Sequence, residues 1–568
     1  MTKESPSQAY TRLEETMPAV FEPPTPRPNI MLILMDDVGV DVIAQYTSFQ
    51  VSHLGYNAGA PAWRPTTTGL ALFKTNGVTF CNAFANPTCS PTRAMLLTGR
   101  YSARTGVGIV ISDSSVGELA EFSDPEFSTE PTLAEFLKAQ GYRTMMCGKY
   151  HLGQPTLEMD PGGSFTNHGT IGWWGPTQVC GFDVFRGHFR NLNQKPEPST
   201  GSPSKGYYNY YWFESDNVLS QPGQNVGAGE HATRKQRGQI QNWIRFGAKD
   251  GSGPATEPWF VYWATSVVHS PYGNAASPAS GCAVPDIAGT PAVQGLAAWL
   301  YTAGYATQWP YPSVWSAIEN LAYELEYLKI KLGDDVWDRT VFILMGDNGA
   351  DDLVMDDFLH GTYTGVRHDI AGGTDYLGVG YEAIINNVRM KATLYGAGTR
   401  VPLIISGPDW IVRNKNRFSY ALVDAVDVHA TIRRIARASY SDAVFDSRGI
   451  DGQHVYDILA GVTGADAAHR TWSLSERFTP CGNIDAVGTE YGYTYRKLRS
   501  DGIWHLIQSY GVAAELYHTQ DATFLITSNI DTCEQTNLAG SQPTVLAELQ
   551  ADYAALIATM KNDHWPTT

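Results

Sequence analysis

The sequence predicts an α/β fold: a large, mostly parallel sheet sandwiched by helices, with a smaller carboxyl-terminal α+β subdomain containing an antiparallel sheet. Three observations carry this. Apolar runs of strand length alternate with segments of helical periodicity. Several of those runs end in clusters of charged residues and glycine, the texture of strands buried on both faces whose carboxyl ends reach a polar edge. After about residue 465 the pattern becomes short alternating strands and one terminal amphipathic helix.

Residues 1–28 are polar and proline-rich and read as an extended arm. NIMLILMDDVG, from Asn29, is a buried strand ending in an acidic pair and a glycine. TEPTLAEFLKAQG is a helix, with Thr129 as its cap, Pro131 in its first turn and Gly141 as its stop. YRTMMC is a short strand leading into GKYHLG, and PWFVYWATSVVHSPY is a strand running into His269. Ile318, Leu321, Ala322, Leu325 and Leu328 form a helical stripe before TVFILMGDNGA, and VPLIISGP is a fifth apolar strand.

The expected organisation is an arm at 1–28, a catalytic domain at 29–465 and a small subdomain at 466–568. In the latter, TYRKLRSDGIWHLIQ alternates as an antiparallel hairpin and PTVLAELQADYAALIATM is the last helix. Insertions rich in glycine, proline and aromatics, at roughly 155–255, 270–312 and 350–390, are expected to be loops above the carboxyl edge of the sheet. Trp173, Trp174 and the run YYNYYWF (Tyr207 to Phe213) are expected to pack within these loops, with stacking on a sugar or aryl ring as the alternative.

Composition narrows the function. A net charge of −17 in 568 residues lacks the basic footprint that nucleic acid requires. No apolar run reaches membrane-spanning length or has signal-peptide character, so a soluble, cytoplasmic protein is the expectation, or an exported one if a leader has been removed. Seven widely spaced cysteines, without a CxxC pair, form neither a zinc spacing nor a disulfide framework.

Asp36 and Asp37 stand at one strand end, Asp347 and Asn348 at another. Three carboxylates and an amide oxygen are hard ligands, and gathering them without a counter-charge is costly, so a divalent cation such as calcium or magnesium is the natural occupant. Arg93, Lys149, His151, His269 and Lys391 bring positive or protonatable groups to the same edge. Each alone reads as surface or as a satisfied hydrogen-bonder. Together, facing a metal, they fit a substrate oxyanion, as in phosphoryl or sulfuryl transfer.

CSPTRAMLLTGR, Cys89 to Arg100, poses the remaining question. A thiolate phosphatase loop needs arginine six residues after its cysteine, where this chain has Met95. Ser90, Pro91 and Thr92 describe a turn rather than a core strand, which argues against a merely structural thiol. A thiolate also mismatches hard oxygen ligands in softness, so an oxygen nucleophile suits the site better.

The segment resembles, at every defining position, the Cys-x-Pro-x-Arg and Thr-Gly-Arg signature of the formylglycine-dependent sulfatases, arylsulfatase-like members of the alkaline phosphatase superfamily. MDDVG, GKYHLG, His269 before a proline, GDNGA, the Lys391 segment and AELYHTQDA extend the resemblance over most of the chain, in the family's order. It implies an alkaline phosphatase-like fold and hydrolysis of a sulfate monoester, on an aryl or carbohydrate alcohol, through a hydrated formylglycine (3-oxoalanine) made from Cys89 by a formylglycine-generating enzyme.

It further implies calcium, with magnesium as the alternative, held by Asp36, Asp37, Asp347 and Asn348 and touching residue 89. His269 would protonate the leaving alcohol, Lys391 would neutralise the sulfate, Arg93 and Lys149 would orient the hydrate, and His151 would take its remaining proton. A phosphonate or phosphate ester hydrolase of the same superfamily and an inactive sulfate-ester-binding protein are the alternatives. Tyr150, where the family often has tryptophan, and Gly396-Ala397-Gly398, where it often has Gly-Gly, are departures that touch no implied catalytic atom.

Overall fold

The computed structural model describes residues 27–40, 43, 68–111, 131–152, 177, 180–192, 206–208, 210–216, 219–226, 230–247, 257–269, 311–350, 391–436, 450–478, 492–509, 511–521, 534 and 536–561. Residues 1–26, Thr129, Trp173 and Trp174 lie outside them, as do most of the insertions at 270–312 and 350–390.

The first strand, β1 (Asn29–Met35), is buried along its whole length. Because side chains alternate across a strand, Ile30, Leu32 and Leu34 enter one apolar core while Met31, Ile33 and Met35 enter a second on the opposite face. The first core is closed by helices α2 (Cys89–Thr98), α3 (Leu133–Ala139), α6 (Ala425–Ile435) and α7 (Pro543–Lys561); the second by α1 (Thr68–Thr75), α4 (Ala232–Phe246) and α5 (Tyr311–Leu332). The stripe Ile318, Leu321, Ala322, Leu325 and Leu328 on α5 is at most 3% exposed.

Ten strands form the main sheet: β1, β2 (Gly77–Phe84), β3 (Arg143–Lys149), β4 (Val184–His188), β5 (Tyr210–Asp216), β6 (Leu219–Val226), β7 (Trp259–Ala264), β8 (Thr340–Gly346), β9 (Leu403–Ser406) and β10 (Arg417–Asp424). Their order is β10-β2-β9-β8-β1-β7-β3-β4-β5-β6. The central run β8-β1-β7-β3-β4 is parallel throughout, as expected. β9 runs antiparallel to both β8 and β2. Its amino end therefore lies at the carboxyl edge of β8, with Leu403 opposite Met345, which delivers the preceding Lys391 segment to that edge.

Other expectations are corrected. The insertion at 155–255 supplies β4, β5, β6 and α4 rather than loop alone, because the aromatic run pairs with β4 and hides its rings: Tyr207, Tyr210, Trp212 and Phe213 are at most 3% exposed. They are core residues, not stacking platforms. The cap of α3 is Thr132, whose hydroxyl accepts from Glu135 N while Glu135 Oε2 accepts from Thr132 N (2.9 Å), a reciprocal capping box.

The smaller sheet, β11 (Trp472–Arg477), β12 (Gly492–Arg499), β13 (Gly502–Ser509) and β14 (Glu515–Asp521), is antiparallel throughout. β11 is bound to the main body through buried polar groups. Ser473 Oγ and Leu474 N donate to the Asp424 carboxylate, and the Arg470 guanidinium pairs with Asp424 and Asp427. Among the described residues, no helix is long and apolar enough to cross a membrane.

The helix that bears Cys89 is fixed from behind by α6. His429 Nδ1 lies 3.0 Å from Leu96 O, and Gly99, at φ 71, leaves room for the imidazole, which a Cβ would approach to 2.7 Å. Burial, then the Arg433 charge, pushes the His429 pKa well below its ordinary value, so the ring is neutral in the fold.

Two outcomes are expected. Arg470→Met leaves Asp424 and Asp427 buried without their cation and lowers stability by about 3–5 kcal/mol, read from urea unfolding at pH 7.5. For His429, the unfolded chain binds the proton that the fold excludes, so its contribution is complete above the ordinary value of 6.5 and is lost as pH falls below it. The stability difference between wild type and His429→Asn should shift against wild type as pH falls below 6.5, with a slope that steepens toward about 1.4 kcal/mol per pH unit near pH 5.

Candidate active site

The turns after β1, β7 and β8 are tied together by main chain: Asp36 N donates to Val267 O (2.7 Å) and Asp347 N to Met35 O (2.9 Å). Asp37 adopts φ 61, a left-handed conformation that aspartate tolerates, and this turn brings its amide to Asp347 Oδ1 (3.0 Å). Asn348 Nδ2 donates to Asp37 Oδ1 (2.9 Å). All four residues are fully buried.

Gly148 has φ 106, and a Cβ there would stand 1.9 Å from Ala264 O, so glycine lets β3 close against β7. Beyond it the side chains of GKYHLG diverge. Lys149 Nζ donates to Asp36 Oδ2 (2.7 Å), while His151, at φ 54, turns its Nδ1 to within 3.1 Å of Cys89 Sγ.

Cys89 opens α2, at the positive end of the helix dipole, and Thr88 before it makes no side-chain cap hydrogen bond among the described residues. The motif around it is built from hydrogen bonds. Ser90 Oγ donates to His151 O (2.8 Å) and accepts from Ile111 N (3.1 Å), and Thr92 Oγ1 accepts from Asn86 N (3.0 Å). One turn on, Arg93 donates to Lys149 O (2.8 Å) and Asp347 Oδ2 (2.6 Å), and lies 3.6 Å from Asp36 Oδ1. Lys391 pairs with Asp37 Oδ1, and His269 Nε2 is 3.7 Å from Asp37 Oδ2. All ten residues singled out in the sequence thus form one contiguous cluster.

The donor set fits a hard cation. Asp36 Oδ1, Asp37 Oδ2 and Asn348 Oδ1 are buried oxygens that accept no hydrogen bond among the described residues. Unsatisfied acceptors of this kind are costly, and each is a calcium or magnesium ligand by type. Ligand atoms of Asp36, Cys89 and Asp347 lie within 4.8 Å of one another, as do those of Asp36, Asp37 and His269.

Electrostatics separates the roles available to each group. Burial raises the Asp36 pKa, but Lys149, His269, Arg93 and Lys391 outweigh it and hold the carboxyl well below its usual range. Asp347 is pushed up to about 7 by burial and then by the neighbouring Asp36 charge, with Arg93 and Lys149 opposing. Burial raises the Cys89 thiol despite Lys149 and Lys391, which is the wrong direction for a thiolate nucleophile. His151 is depressed by burial and by Lys149 and Arg93, so its imidazole is neutral and can accept a proton. Burial also lowers His269, with Asp37 opposing.

Three buried residues around the site escaped the sequence reading. His188, at the end of β4, reaches Ser266 Oγ through Nε2 (3.0 Å). Tyr207 donates to Ser266 O and to His269 O (3.0 Å). Tyr262 Oη is buried with no hydrogen-bond partner among the described residues, near enough to Arg93 to feel its charge. Only the aromatic run containing Tyr207 was a signal, and nothing in its composition tells a core tyrosine from a pocket one.

Comparison with known proteins identifies the family. Human arylsulfatase G is 26% identical over 460 residues, which span 77% of this chain and 69% of that protein. Mouse arylsulfatase G is 40% identical over 131 residues, a segment covering 22% of this chain and only 21% of the mouse protein. Two solved structures share the fold. PsFucS1 sulfatase from Pseudoalteromonas sp. superposes with a TM-score of 0.57 at 16% identity, covering 100% of this chain and 96% of that one. BT4656, solved in complex with its substrate D-glucosamine-2-N,6-O-disulfate, gives 0.56 at 16% identity, with 94% and 99% covered. The sulfatase family model matches residues 28–438, well over half of the molecule, and the chain therefore belongs to the sulfatase family.

Proposed function

We propose that this protein hydrolyses sulfate monoesters of small aryl or carbohydrate alcohols to the free alcohol and sulfate, using residue 89 after its maturation by a formylglycine-generating enzyme. The observation that carries the reading is the cluster itself: three hydrogen-bond-deficient oxygens facing the amino end of α2, ringed by Arg93, Lys149 and Lys391.

Cys89 Sγ marks where the oxygens of the hydrated 3-oxoalanine would stand. In that form residue 89 supplies an oxygen nucleophile, for which the buried, neutral thiol is no substitute. A calcium ion held by Asp36, Asp37, Asp347 and Asn348 supplies Lewis-acid withdrawal of charge when bound, with magnesium as the second choice. Arg93 and Lys149 hold the acidic residues and orient residue 89, and Lys391 offsets charge on the transferred group.

As one hydroxyl of the hydrated residue 89 forms its bond to sulfur and the bond from sulfur to the alcohol oxygen breaks, His269 would donate a proton to that departing oxygen. An anionic substrate beside it opposes the downward pull of burial and lets the ring hold that proton. His151, neutral and 3.1 Å from the side chain of residue 89, is placed to take the proton of the second hydroxyl, which would let sulfate leave as the carbonyl re-forms. Two hydroxyls on one carbon make this elimination possible.

Mass spectrometry of the Cys89 peptide, from protein made with and without the modifying enzyme, tests the reading. Sulfur should be lost from residue 89 only in the active preparation. Catalytic efficiency on aryl sulfate should exceed that on aryl phosphate and phosphonate esters, and the reverse order would assign the site to phosphorus esters. Chelation with EGTA should abolish turnover and calcium restore it, while saturating calcium raises Tm because it binds only the fold. His269→Ala should reduce kcat by about 10²–10⁴-fold on esters of weakly acidic alcohols and far less on 4-nitrophenyl sulfate, whose leaving group needs little protonation.

A further inference from the structure

We infer that Tyr207 is a positioning residue for His269, one that sets where the proton donor stands relative to the leaving oxygen; this rests on the acid role proposed above. His269 lies in an irregular turn after β7, and its own amide donates back to Ser266 O (2.9 Å). The Tyr207 hydroxyl reaches both ends of that turn, the carbonyl of Ser266 and the carbonyl of His269 (3.0 Å). One phenol thus bridges the two points that fix the direction in which the imidazole leaves the main chain.

The phenol is itself held. Tyr207 is fully buried, and its ring stacks on His231 with centroids 5.1 Å apart and planes at 23°. Tyr208 meets the same imidazole edge-on at 5.1 Å, so His231 is gripped between two rings. His231 caps α4, its Nδ1 accepting from Thr233 N, and Ala232 N donates to Tyr207 O (2.8 Å). A helix start, a stacked pair and a bridging hydroxyl therefore connect the rigid body of the protein to the turn that bears His269. From the other side His188 Nε2 holds Ser266 Oγ (3.0 Å).

A buried tyrosine wanted only for packing needs one acceptor for its hydroxyl, and phenylalanine would serve its ring equally well. The double contact at a turn carrying a site residue is what assigns the hydroxyl to geometry. Misplacing a proton donor by a fraction of an ångström weakens proton transfer most where the leaving oxygen is most basic.

The test uses the matured full-length protein and its Tyr207→Phe variant on a series of aryl sulfates whose phenols span a range of acidity. Tyr207→Phe is expected to lower kcat/KM by about 10- to 100-fold for the least acidic phenol, and little for 4-nitrophenyl sulfate, steepening the dependence on leaving-group pKa. Inhibition by inorganic sulfate should stay within about twofold. The slope is independent of the fraction of folded enzyme, since loss of fold scales every substrate alike. An unchanged slope in Tyr207→Phe, with His269→Ala steepening it, overturns the positioning role alone. An unchanged slope in His269→Ala overturns the acid role and this inference with it.

Discussion

Asp36, Asp37 and Asp347 are buried together at the ends of two adjacent parallel strands, and most of the surrounding structure answers that concentration of negative charge. Charge taken out of water must be paired or coordinated. Arg93 and Lys149 are therefore fully buried with their charges against Asp36 and Asp347, and Lys391 is turned onto Asp37. Three oxygens nevertheless remain without donors. The protein's own groups leave these oxygens incompletely satisfied, and their type suits a hard cation.

The same arrangement bears on residue 89. Burial raises its thiol, and the carboxylates of Asp36 and Asp347 oppose what the two lysines contribute. Sulfur in this position is both poorly ionised and poorly matched to oxygen-preferring cations. An oxygen grown from the same carbon meets neither difficulty, and it would find His151 already neutral beside it.

The small antiparallel sheet, together with Glu534 beyond it, is bonded to the segment that carries Lys391. Tyr395 Oη donates to Glu515 (2.9 Å), Gly396 N to Glu534 (2.8 Å) and Arg496 to Thr399 Oγ1, all along the segment that begins at Lys391. At its other side Lys391 N donates to Ala350 O and Ala392 N to Pro87 O, next to the two motifs that supply Asp347 and Cys89. Glu515, near the carboxyl terminus, is thus tied to Tyr395, four residues after Lys391 in sequence.

By itself the sequence determined the strand–helix alternation, the acidic pairs at strand ends and the identity of all ten clustered residues, because buried parallel strands are apolar throughout and their ends carry short, dense motifs. Two-faced burial of β1 and the stripe on α5 were legible for the same reason. Only the tertiary structure decided that β9 runs antiparallel, that Thr132 caps α3, and that Tyr207, Tyr210, Trp212 and Phe213 are core residues. Strand direction and the choice of buried face depend on which neighbours pair across the sheet, and a local pattern of apolar and aromatic residues is the same in either orientation.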